Sequence, residues 1–196
     1  MRKIILASAS PRRRELLKML KIEFEVLADN TPENAEGAKS PEEAVVMLAA
    51  EKCENVALRI PQGTDALVIA ADTVVSQNGA VIGKPKDEAD AFGILTALGG
   101  TAHSVYTGVC VKDLKAGKET RFFEKTDVVF RDLSDDEIRA YIASSEPMDK
   151  AGAYGIQGLG SVFVKEIHGD YFNVVGLPLC RLCEVLKSEY GMKILN

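Results

Sequence analysis

A short apolar strand that runs straight into a basic turn constrains this chain more than any other stretch. Lys3-Ile4-Ile5-Leu6-Ala7 reads as a buried strand, and Ser8-Ala9-Ser10-Pro11-Arg12-Arg13-Arg14 follows it directly. Ser10 fits an N-cap and Pro11 the first helical position, so a helix opens there and runs through Leu16, Leu17 and Leu20. Hydroxyls and arginines therefore crowd a turn toward which unbonded backbone N–H groups and the positive end of a helix dipole also point. Such a turn suits an anion, and planar guanidinium groups suit phosphate oxygens. The competing reading is an ordinary N-cap followed by solvated arginines.

Beyond that turn the chain alternates strands with helices. Phe24 to Ala28 reads as a strand and the polar residues 29–39 as a surface loop. Ser40-Pro41-Glu42-Glu43 has the form of a capping box with Pro at N1, opening a helix to about Leu58. Ala66 to Ala71 is a continuous apolar run, expected as a central strand buried on both faces. Val74–Ser76 and Ala80–Ile82 flank Asn78-Gly79, a tight-hairpin signal. A helix over 87–98 stops at Gly99-Gly100, and strands follow at 103–112 and 120–130. Ser134-Asp135-Asp136-Glu137 is a second capping box, strands are expected at 161–167 and 171–175, and Pro178 opens a last helix. The expectation is one mixed α/β domain over residues 1–196, a twisted sheet flanked by helices.

Composition excludes several classes. A net charge of −5 argues against broad binding to nucleic acid or an anionic membrane. No apolar run approaches a membrane span, and the start of the chain lacks the long apolar stretch of a signal peptide, so a cytoplasmic location is expected. Cys53, Cys110, Cys180 and Cys183 make no disulfide framework in 196 residues. Cys180-x-x-Cys183 lacks a second pair, and its helical spacing to Leu179 and Leu186 predicts small buried side chains rather than a zinc site.

Three features break their local pattern. Asp72 closes the apolar run 66–71, where it could hold a cation, act as a general base beside Thr73, or merely cap backbone N–H groups. Lys52 shares the apolar series of Val45, Leu48, Ala49 and Val56, so its ammonium must snorkel outward or meet an anion. Asp149 to Gly160 holds four glycines, which would let backbone approach a ligand; Gln157 within it has an amide suited to a base edge. A flexible turn is the alternative.

In order, Ala7-Ser8-Ala9-Ser10-Pro11-Arg12-Arg13, Glu51-Lys52, Ala71-Asp72-Thr73, Gly83-Lys84-Pro85, His103 to Val109, the 149–160 segment and Val175-Gly176-Leu177-Pro178 span nearly the whole chain. Together they resemble the Maf-type nucleoside triphosphate pyrophosphatases, the septum-formation-inhibitor-like family. The resemblance implies a Maf/ITPase-like fold with a nucleotide cleft between two lobes. It also implies hydrolysis between the α- and β-phosphates with a divalent cation, Mg²⁺ or Mn²⁺. Asp72 matches the proton acceptor and a metal ligand. Ser8, Arg13, Glu33, Lys52 and Lys84 match the phosphate and metal pocket, with Glu36 the alternative to Glu33. Arg12, Thr73 and Gln157 match base-specificity positions and resemble the subgroup acting on dTTP and UTP. A homodimer is a further implication. The rival readings are a non-hydrolytic nucleotide-binding module, a phosphatase for sugar phosphates or phosphopeptides that releases orthophosphate, and a structural scaffold.

Overall fold

The computed structural model describes residues 2–29, 31, 35 and 37–195. Glu33 and Glu36, the two candidate loop carboxylates, lie outside the described residues. The strands are β1 (Lys3–Leu6), β2 (Glu25–Val26), β3 (Ala66–Gln77), β4 (Ala80–Ile82), β5 (Ala102–Asp113), β6 (Glu119–Phe130) and β7 (Val164–His168). The helices are α1 (Pro11–Met19), α2 (Pro41–Ala57), α3 (Glu88–Leu98), α4 (Asp135–Ala143), α5 (Tyr171–Val175) and α6 (Leu179–Tyr190). Among the described residues one seven-stranded mixed sheet runs β2-β1-β3-β5-β6-β7, with β4 paired to β3. The expected α/β sheet with flanking helices is what forms.

The chain divides into two compact units, the first comprising Met1–Asp72, Thr107–Glu124 and Gly176–Asn196. There β1 lies parallel to both β2 and β3, with Ile5 level with Val68 and Leu6 with Ile69. The two-residue alternation of a strand sets Ala66, Val68 and Ala70 on one face. Ala49, Ala50, Cys53 and Val56 of α2 pack on that face together with Ile5, Ala7 and Cys110. Small side chains bring helix and sheet close. At Gly108 of β5 a Cβ would sit 2.7 Å from the Val46 nitrogen and still deeper against the Val45 carbonyl.

The second unit comprises Thr73–Tyr106 and Lys125–Val175. Its core holds His103, Phe130 and Tyr154, three rings in mutual edge-to-face contact with centroids 4.7–5.3 Å apart. His103 is 3% exposed, and its Nε2 lies 2.8 Å from the Tyr154 hydroxyl. Its Nδ1 has no partner among the described residues, so a second proton would leave a buried donor unpaired. Burial accordingly pushes its pKa down to about 4.

The caps follow the expectation in outline. The Ser10 hydroxyl accepts from Arg13 N at 3.5 Å, and Ser134 with Glu137 forms the full reciprocal box. Ser40 accepts from Glu43 N, but the Glu43 carboxylate reaches one residue further back, to Lys39 N at 2.9 Å.

Four expectations are corrected. The apolar run 66–71 does not end at Asp72: the same strand continues through the hairpin arm to Gln77, since Thr73, Val74 and Val75 are strand formers. Residues 171–175 form a helix, because the Asp170 carboxylate accepts from Phe172 N and its carbonyl from Val174 N. Residues 159–163 form a 3₁₀ turn, so β7 begins only at Val164. Cys180 is exposed and Cys183 half-buried, because α6 turns Leu182, Val185 and Leu186 inward instead.

Candidate active site

Alternation along β3 continues from Ala66, Val68 and Ala70 to Asp72, so its carboxylate points to the α2 side of the sheet. On that side α2 carries Lys52, one residue before the buried Cys53. Lys52 Nζ donates to Asp72 Oδ1 at 2.5 Å, with the two side chains 13% and 8% exposed. The lysine in an apolar stripe thus meets its anion, the second of its two possible fates. An ion pair so withdrawn from water tolerates loss of neither partner well.

The basic turn adjoins this pair. Extending the β1–β3 register by two residues sets Ser8 level with Ala71, next to Asp72. Ser8 is buried, and its hydroxyl accepts from Ser10 N at 3.2 Å and from Arg13 Nη1 at 3.5 Å. Arg13 Nε donates to the Gly176 carbonyl at 2.8 Å, which fixes the guanidinium plane with Nη1 toward Ser8. Gly176 has φ +123°, a conformation that favours glycine, so the motif around it supplies an oriented carbonyl. Arg12 stands beside Arg13 in the first turn of α1, half-buried.

Asp29, which the sequence does not single out, is tied to the same helix. Its Oδ2 accepts from Asn55 Nδ2 at 3.1 Å, and its Oδ1 accepts from both the nitrogen and the hydroxyl of Thr31. Burial pushes its pKa up, but those hydrogen bonds and the charge of Lys52 outweigh it and hold the carboxyl below its ordinary value. Asn55 follows Lys52 by three residues on one helix face, so α2 presents a cation to Asp72 and an amide to Asp29 side by side. The Asp-x-Thr pattern ahead of the α2 cap is the signal that would have found it.

Thr73, Lys84 and Gln157 belong to the second unit. Thr73 follows Asp72 on β3 and is half-buried. Lys84 is exposed just after β4, whose Ile82 pairs with Val75. The Gly83 carbonyl accepts from Gly152 N at 3.0 Å, which ties the Lys84 turn to the start of the glycine-rich segment. Gln157 is exposed within that segment. Its glycines are crowded by the protein's own side chains. A Cβ at Gly152 would meet Val75 at 2.8 Å, at Gly155 the Lys150 stem at 2.7 Å, at Gly158 the Glu146 carboxylate, and at Gly160 the Tyr141 hydroxyl at 2.8 Å. The glycines admit the protein's own side chains.

Among the described residues no three His, Cys, Asp or Glu side chains cluster as a metal cage. Asp72 supplies one hard carboxylate oxygen donor beside the basic turn. That fits a cation of the Mg²⁺ kind, which takes one or two carboxylates and completes its shell with phosphate oxygens and water. No described helix is long and apolar enough to cross a membrane.

The sequence model of the family described as Maf-like protein matches residues 3–189. The chain is 48% identical over 188 residues to a dTTP/UTP pyrophosphatase of Bacillus cereus, covering 96% of each chain. It is 49% identical over 195 residues to a dTTP/UTP pyrophosphatase of Pelotomaculum thermopropionicum, covering 100% of each. A solved structure of a HAM1 protein from Coxiella burnetii overlaps 83% of this chain and 92% of its own, at a TM-score of 0.45 and 14% identity.

Proposed function

The chain belongs to the Maf-like protein family, and from that premise we propose that it hydrolyses dTTP and UTP between the α- and β-phosphates, releasing the nucleoside monophosphate and pyrophosphate. The observation that carries the reading is the Lys52–Asp72 pair beside the Ser8–Arg13 turn. A carboxylate set among cations serves a reaction at phosphorus better than plain anion binding does. A pure anion site gains nothing from a negative charge held next to it.

Each residue has a role that its chemistry suits. Asp72 orients and deprotonates the water that attacks the α-phosphorus, with its reach set by Lys52. Arg13, Lys52 and Lys84 balance charge on the phosphates as pyrophosphate departs, and Ser8 with the α1 amides adds hydrogen bonds. A divalent cation, Mg²⁺ or Mn²⁺, held by Asp72 and Glu33, would neutralise phosphate charge and polarise the α-phosphoryl group. Arg12, Thr73 and Gln157 set base choice, since a site built to pair with a base edge leaves buried polar groups unpaired when the wrong base enters. Residues 1–196 act as a single nucleotide pyrophosphatase domain on free nucleotide in the cytoplasm, as a homodimer, independent of nucleic acid and membranes.

Steady-state rates with dTTP, UTP, CTP, GTP and ATP, each with Mg²⁺, with Mn²⁺ and with a chelator, test this reading. Turnover of dTTP and UTP well above the purine nucleotides, lost with the chelator, is expected. Tight nucleotide binding without turnover under any metal would instead make the protein a binding module.

A further inference from the structure

The glycine-rich segment closes around a carboxylate of its own. Glu146 Oε2 accepts from Leu159 N at 2.9 Å, while Oε1 accepts from Gly160 N at 3.2 Å and from the Tyr141 hydroxyl at 2.9 Å. The same hydroxyl accepts from Gly155 N at 3.2 Å. Three backbone N–H groups of residues 155–160 thus end, directly or through Tyr141, on one side chain. Gly158 lies flat against that carboxylate, where any side chain would collide with it. Beneath, the Lys150 ammonium donates to the Glu146 carbonyl at 2.5 Å while its stem fills the space in front of Gly155. A ring of N–H donors that could hold a phosphate is already occupied by the protein. The closed segment leaves Gln157, Gly158 and Leu159 exposed, whereas Ile156 and Gly160 are buried, and Gln157 is its one outward polar side chain.

We propose that Glu146 is a positioning residue for base selection: its carboxylate locks residues 155–160 in the one conformation that presents the Gln157 amide to the nucleobase. The assignment rests on the reading of Gln157 as a base-contacting residue. Three donors converge on Glu146, so the role needs an acceptor-only group. Burial pushes this carboxyl's pKa up, but the Leu159 and Gly160 N–H groups, the Tyr141 hydroxyl and the Lys150 charge outweigh it, so the group stays ionised near neutral pH. Glutamine at this position would turn an N–H against the Leu159 N–H and open the ring at one point without altering the volume.

Two readouts on Glu146→Gln, run beside Gln157→Ala and the double variant, test the proposal. The first is amide hydrogen exchange at Leu159, which should quicken about tenfold or more as that protected amide loses its acceptor. The second is kcat/KM for UTP against ATP. Glu146→Gln should lose most of the discrimination that Gln157→Ala loses, mainly through a raised KM for UTP, and the double variant should be no worse than Gln157→Ala alone. Discrimination lost in Gln157→Ala but kept within about twofold in Glu146→Gln overturns the proposal and leaves the role of Gln157 standing. Unchanged exchange at Leu159 also overturns it. Unchanged discrimination in Gln157→Ala removes Gln157 as base reader and the proposal with it. Should Glu146→Gln fold poorly, Tyr141→Phe removes only the hydroxyl between Glu146 and Gly155 N and is read by exchange at Gly155 and by the same discrimination.

Discussion

Lys52 on α2 and Asp72 on β3, twenty residues apart, meet at 2.5 Å with their side chains 13% and 8% exposed. Strand alternation and helix packing impose the encounter: the face that buries Val68 and Ala70 carries Asp72 next, and α2 lies over that face. Asp72→Asn keeps an oxygen for Lys52 and nearly the same volume but removes the base. It should fold with a lowered Tm, because the Lys52 ammonium keeps a hydrogen-bond acceptor but loses its counter-charge, and lose turnover by about a hundredfold or more. Lys52→Met should also lose turnover and, by leaving Asp72 withdrawn from water without its cation, lower stability as well. Thermal unfolding beside steady-state rates separates the two; normal turnover in Asp72→Asn with saturating metal would remove it as the base.

Lys84 is exposed after β4, outside any packed core. Lys84→Ala should therefore change unfolding free energy by no more than about 0.5 kcal/mol. If it balances phosphate charge as proposed, kcat/KM should fall by about tenfold or more. An equal and small effect on both would reduce it to a surface lysine.

Gly108 makes the opposite case. Alanine there would drive a Cβ into backbone of α2 at Val45 and Val46, which cannot give way without moving the helix. Gly108→Ala should cost about 2–3 kcal/mol. Because Lys52 lies two turns along the same helix, activity should fall by more than the loss of folded protein explains. Denaturant unfolding and rates normalised to folded fraction check both parts.

His103 sets a pH dependence of stability. Its folded pKa, about 4, is depressed below the ordinary 6.5, so between these values the unfolded chain binds a proton that the folded one does not. Stability is then fully present above pH 6.5 and is lost as pH falls toward 4, by at most about 3 kcal/mol for this one group. His103→Phe keeps the ring contacts to Phe130 and Tyr154 and should flatten the slope between pH 6.5 and 4, though it leaves the Tyr154 hydroxyl without its partner. Urea unfolding across that range, with wild type and variant showing the same slope, would contradict the assignment.

Much of the fold is legible in residue order because local and global preferences agree there. Ser10-Pro11 and the Ser134–Glu137 box cap helices where expected, and Asn78-Gly79 turns a hairpin with positive φ at both residues. Lys52 was legible as a charge that must either snorkel out of its apolar stripe or meet an anion. Its partner was not, because the apolar run stops at Asp72 while β3 runs on to Gln77 and carries the carboxylate mid-strand.

Other features depend on partners distant in sequence. Residues 171–175 read as a strand by composition, but the Asp170 cap and the burial of Asn173, whose amide donates to the Val105 carbonyl at 3.1 Å, decide for a helix. The glycines of 149–160 advertise close approach without saying of what; Glu146, Tyr141 and Lys150 are the answer. Asp29 is not legible in residue order because Asn55 and the charge of Lys52, which act on it, both lie on another element.

The most direct test of the account is hydrolysis of UTP in ¹⁸O-labelled water, with products resolved and the label located. The account predicts UMP and pyrophosphate in equal amounts, label in the UMP phosphate, and loss of both products in Asp72→Asn. Orthophosphate with UDP, or label in the pyrophosphate, would contradict attack at the α-phosphorus and the role given to Asp72.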